Sequence, residues 1–98
     1  MESLTHFAQG FQALGSESRL LVYITLLQHH PEGLNIKDLQ AKVEIKASTL
    51  AHHLKVLVDA GFVQQQQRGK ENFNYAITET LQTLCDNISC KCCEYTKR

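Results

Sequence analysis

The chain is 98 residues long, 43% apolar and 20% charged, and its ten basic and ten acidic side chains give a formal net charge of zero. That length argues for one domain spanning residues 1–98, since separate cores rarely form below about 50 residues each. No apolar run is long enough to cross a bilayer, and the absent net charge argues against an indiscriminate nucleic-acid binder.

The opening "MESLTHFAQG" has neither the basic region nor the apolar stretch of a secretory signal, so a cytoplasmic protein with no membrane partner is expected. Leu4, Phe7, Ala8 and Phe11 recur at i, i+3, i+4, i+7 and predict an amphipathic helix ending near Gly15. Ser16 is a natural N-cap for a second helix, with Glu17 favourably placed in its first turn. Leu20, Tyr23, Ile24 and Leu27 form the stripe expected to be buried, and Pro31 and Gly33 stop the helix. Asn35 can cap a short third helix, "IKDLQAKV". A fourth runs from about Ala47 to Ala60, with Leu50, Leu54 and Leu57 inward and Gly61 as its stop.

The period then changes. Phe62 and Val63 open an extended stretch, "RGK" at residues 68–70 reads as a turn, and Phe73, Tyr75 and Ile77 alternate on one face, which together predict a β-hairpin. Thr78 can cap a last helix, where Leu81, Leu84, Cys85 and Ile88 return to helical spacing; Cys85 on that stripe is expected to pack as a small hydrophobe. The resulting order, α-α-α-α-β-β-α, is mainly helical, and a helix pair followed directly by a hairpin wing makes a winged helix-turn-helix. Charge is distributed to match. Residues 37–70 carry a surplus of three positive charges, while the preceding 36 and following 28 residues carry deficits of two and one. A small domain hides only about two-thirds of its unfolded surface, so a second copy covering the terminal stripe is expected.

Four stretches resemble the ArsR/SmtB family of small metal-responsive repressors: "ALGSESRLLVYITLL", "LNIKDLQAKV", "STLAHHLKVLVDAGFV" and "RGKENFNYAI". The resemblance implies a homodimer, paired through its first and last helices, that covers double-stranded operator DNA and leaves it when an effector binds. A two-fold dimer places two recognition helices about one DNA turn apart on a pseudo-palindromic site. Residues near the start of the recognition helix reach the major groove, and the candidates are Ser48, Thr49, His52, His53 and Lys55, with Ala47 and Ala51 able only to meet thymine methyls. His52 and His53 lie about 100° apart on a helix and so cannot share one role. Arg68 and Lys70 at the wing tip suit phosphate or minor-groove contact. Lys46 stands where the family usually has a capping acceptor, which a lysine cannot supply.

Cysteine is confined to the end of the chain, at Cys85, Cys90, Cys92 and Cys93. The family's familiar Cys-x-Cys of the third helix is absent, since Asn35 and Lys37 stand there. Its carboxylate–histidine site on the last helix lacks histidine, leaving Glu79 and Asp86 alone. Cys90, Cys92 and Cys93 are therefore the candidate metal ligands. On an ideal helix Cys90 and Cys93 share a face and Cys92 is turned about 160° away, so three thiolates meet on one ion only if the helix end unwinds. Three sulfurs without a fourth ligand suit As(III) or Sb(III) as effector, ahead of Cu(I), cadmium or zinc. The alternatives are a thiol redox or sulfide sensor on the same fold, and a metalloid-binding buffer or chaperone without promoter specificity. No catalytic cofactor or enzymatic activity is expected: a reductase needs a low-pKa thiol in a shaped pocket with an acid or base beside it.

Overall fold

In the computed structural model the backbone is described for residues 4–96 and side chains for residues 4–89. Eight elements follow in order: α1 (Leu4–Leu14), α2 (Glu17–Gln28), β1 (Leu34–Asn35), α3 (Ile36–Val43), α4 (Ala47–Asp59), β2 (Val63–Arg68), β3 (Glu71–Ala76) and α5 (Thr78–Thr96). This is the expected winged helix-turn-helix with one addition. The short β1 pairs with β3 and makes a three-stranded antiparallel sheet in the order β1-β3-β2, with Leu34 opposite Asn74 and Asn35 opposite Phe73.

Capping explains where the helices begin and end. The Ser16 hydroxyl accepts from the Arg19 amide at 3.3 Å, and the Asn35 carboxamide oxygen accepts from the Asp38 amide at 2.7 Å. Lys46 precedes α4 in extended backbone with no side-chain cap, so that helix starts at Ala47 without a side-chain acceptor. Its far end closes as a Schellman motif: Gly61, at φ +85°, donates to Val58 and Phe62 donates to Leu57. Thr78 is the first residue of α5 rather than an outlying cap.

The core gathers Val22, Tyr23 and Leu26 of α2, Leu39 and Val43 of α3, Leu50, Leu54 and Leu57 of α4, and Phe62, Val63 and Ala76 of the wing. Tyr23 and Phe62 meet edge-on at 5.3 Å. Two expectations about burial are corrected, on α2 and at Cys85, and the facing of β3, which the alternation left open, is settled. On α2 the stripe is rotated: Tyr23 is buried and Leu27 half-buried, but Leu20 and Ile24 are 39% and 42% exposed, and Val22, Thr25 and Leu26 take the inward places. Apolar residues surround this helix, and its inward side is set by α3 and α4 packed against it. On β3 the inward residues are Asn74 and Ala76, while Phe73 and Tyr75 stack on the outer face of the wing at 6.2 Å. Cys85 is exposed, because α5 lends the core Leu84 and, in part, Leu81 and Ile88. The apolar stripe of α1 is also largely uncovered, with Phe7 buried but Leu4 70% and Phe11 47% exposed.

Candidate nucleic-acid interface

Burying Leu50, Leu54 and Leu57 fixes which side of α4 looks outward. Ser48, His52 and Lys55 fall within about 60° of one another on the opposite side, and all three are exposed, as are Thr49, Ala47 and Ala51 on the flanks. The amphipathic spacing of the leucines thus presents a polar ridge of the dimensions that enters a major groove. Lys55 lies 3.5 Å from Asp59 one turn on; both side chains are solvated, so the pair is easily traded for a phosphate.

His53 is placed differently from His52. It is half-buried on the flank of α4 beside Arg19 of α2, and the His53 Nδ1 and Arg19 Nε atoms are both buried without a hydrogen-bond partner. Burial, then the Arg19 guanidinium, then His52 push the His53 imidazole below its ordinary pKa. The two histidine rings lie 6.0 Å apart, one in solvent and one against the core side of the helix.

The wing tip is a two-residue turn, Gly69 and Lys70, between the paired Arg68 and Glu71. Gly69 takes a left-handed backbone at φ +65°. Lys70 projects freely, but Arg68 is held: its guanidinium lies 4.5 Å from the Phe73 ring centre and donates to the Tyr75 hydroxyl at 3.2 Å. An arginine fixed this way presents its charge on the wing's outer face in one orientation.

The remaining sequence-predicted ligands, Cys90, Cys92 and Cys93, lie on the last turns of the α5 backbone, with side chains outside the described residues. Among the described residues no group of three His, Cys, Asp or Glu side chains could hold a metal ion, and none of their helices is long and apolar enough to cross a membrane. What sequence reasoning missed is how α5 is moored. Thr80 Oγ1 donates to the Gly61 carbonyl at 2.6 Å, at the C-terminal end of the recognition helix, and the Tyr23 hydroxyl donates to Ile77 O at 2.9 Å. Burial, with Cys85 nearby, raises the Tyr23 pKa and keeps that hydroxyl a donor. No local spacing pairs Thr80 with a carbonyl 19 positions earlier.

Residues 14–66 match the model of the helix-turn-helix domain family, and the chain belongs to that family. It superposes on an ArsR-like transcriptional regulator from Rhodococcus sp. RHA1 with a TM-score of 0.86 at 21% identity, over 96% of this chain and 86% of that one. The homodimeric winged helix-turn-helix DNA-binding domain of a protein from Mycobacterium bovis, described as a possible ArsR-family transcriptional regulator, superposes with a TM-score of 0.71 at 16% identity, over 90% of this chain and 80% of that one. In sequence the chain is 28% identical to the arsenical resistance operon repressor of Bacillus subtilis across 91% of this chain and 83% of that repressor. The fold is that of the ArsR-type winged helix-turn-helix transcription regulators.

Proposed function

We propose that the protein is a homodimeric repressor that binds operator DNA through Ser48, Thr49, His52, Lys55, Arg68 and Lys70, and is released when As(III) or Sb(III) is captured by Cys90, Cys92 and Cys93. The observation that carries this reading is the course of α5. One unbroken helix backbone runs from Thr80, bonded to the end of the recognition helix, to the turns that hold the three thiols. Gathering those sulfurs on one ion requires the end of α5 to rearrange, and a strained α5 pulls on the carbonyl that terminates α4. Releasing an operator a hundredfold needs a coupling of about 2.7 kcal/mol. The donor set, three soft thiols without a fourth ligand, fits a three-coordinate metalloid.

Dimerisation is supported by the uncovered apolar surface of α1, where Leu4 and Phe11 stand in solvent in the single chain. A two-fold pairing through α1 and α5 covers it and sets two recognition helices on one face.

The test is release of a bound promoter fragment, titrated in parallel with arsenite, antimonite, cadmium, zinc and peroxide. Arsenite and antimonite are expected to release the fragment at the lowest concentrations, and the Cys90→Ser, Cys92→Ser, Cys93→Ser triple variant should keep its DNA affinity and lose the response. An unaltered arsenite response in that variant overturns the thiol site, and indifference to promoter sequence overturns the repressor.

A further inference from the structure

An open cavity of about 470 Å³ lies where α1, α5 and the C-terminal end of α4 converge. Its floor is apolar, made by Phe7, Gly10, Phe62 and Leu84, and Gly10 is what lets α1 come close: a Cβ there would stand 3.1 Å from the Leu84 side chain. Its rim is polar and acidic, with the carboxylates of Asp59 and Glu79 and the hydroxyls of Thr80 and Thr83. His6 is the one basic side chain among the described residues that line it, and Lys55, which pairs with Asp59 at 3.5 Å, stands outside the lining. The volume falls within the range of about 300–1,000 Å³ typical of small-molecule sites, and an apolar floor under a few polar groups is their usual make-up.

We infer that this cavity is a binding site for a small organic cation, an amine or quaternary ammonium group carried on an apolar body, and that its occupation is felt by the recognition helix. Charge selects the class: with Lys55, the ion-pair partner of Asp59, outside the lining and His6 its one basic side chain, Asp59 and Glu79 leave the cavity net negative, which favours a positive guest. A bare metal ion is disfavoured, since the described residues bring no three ligands together. Position gives the consequence. The guest touches Asp59 and Ala60, the last turn of α4, and the same Thr80 that bonds the Gly61 carbonyl. It therefore reaches α4 without using the thiols, and the inference stands or falls separately from the proposed metalloid response.

The test uses the full chain and benzyltrimethylammonium as probe, with benzyl alcohol and benzoate as neutral and anionic counterparts. Amide resonances are followed by NMR without DNA, and promoter affinity is measured with and without probe. Saturable shifts are expected at Gly10, Thr80, Thr83 and Asn87 with the cation alone, continuing into Ala60 and Gly61, together with a change in promoter affinity of about fivefold or more. Thr83→Phe, at an exposed position, should fill the cavity and abolish these shifts without changing the melting temperature; Glu79→Gln should weaken them without filling anything. Equal responses to all three probes, shifts that persist in Thr83→Phe, or shifts confined to the cavity with no effect on promoter affinity overturn the proposal. So does perturbation of the same residues by protein concentration alone, which assigns the cavity to a second copy of the chain. Failure of promoter binding by the probe-free protein strikes the repressor reading and leaves the NMR result intact.

Discussion

Asn74 is the most informative single residue of the wing. It is wholly buried, its amide donates to the Leu34 carbonyl at 3.2 Å, and its oxygen accepts from Gln65 at 2.9 Å. One side chain therefore ties all three strands. Alternation in "ENFNYA" marks a strand correctly, but it gives no hint that the asparagine face is the inward one, because its partner carbonyl lies 40 positions away. Asn74→Ala strands that carbonyl, and a loss of about 1–3 kcal/mol is expected, read as a lower urea midpoint with unchanged slope. His53 has a stability signature of a different kind. Its folded pKa lies below the ordinary 6.5, so the unfolded chain binds the proton more tightly. Its contribution is complete above pH 6.5 and lost as acid drops the pH through that value toward the lower folded one. Thermal melts across pH 5–8 should show a falling melting temperature on acidification, with a shallower fall in His53→Gln.

Among the elements, α4 was the most legible. Its three inward leucines fall on one face, its length is closed by Gly61, and each reading needs only neighbours within two turns. α2 defeated the same method. With Leu20, Leu21, Val22, Tyr23, Ile24, Leu26 and Leu27 in one helix, apolar residues lie on nearly every side, and only the elements packed against it decide which are buried. β1 was invisible because two residues carry no period. For the proposed DNA-reading surface, sequence named the exposed ridge Ser48, His52 and Lys55, but it could not separate His52 from His53 or see that Arg68 is braced by Phe73 and Tyr75. The ridge makes a distinct prediction. Lys55→Ala removes one phosphate partner at the cost of an exposed ion pair, so binding should weaken alike for all sequences, and the slope of log affinity against log salt should fall by about one. A sequence-dependent loss would instead give Lys55 a base contact.

At the scale of the molecule, the proposed function requires two surfaces to act together: the exposed apolar flank of α1, as the pairing surface, and the joint between α5 and α4. Phe11→Glu puts a charge on a side chain already 47% exposed, so the fold should survive while the sedimenting mass halves and promoter affinity falls with it. The joint is more delicate, because among the described residues the Thr80–Gly61 hydrogen bond is what links α5, which bears the thiols, to the end of α4, the helix proposed to read DNA. Thr80→Val keeps the shape and deletes the donor. A neutral hydrogen bond is worth about 1 kcal/mol net, against the roughly 2.7 kcal/mol that a hundredfold release requires. Ion-free promoter affinity should therefore barely change, while the release produced by saturating arsenite should shrink from about a hundredfold to about twentyfold. Equal release in the variant and the parent would mean that the pull on α4 travels through the Tyr23–Ile77 contact or the Leu84 packing, and Tyr23→Phe, which removes only the hydroxyl bonded to Ile77, would then be the variant that loses it.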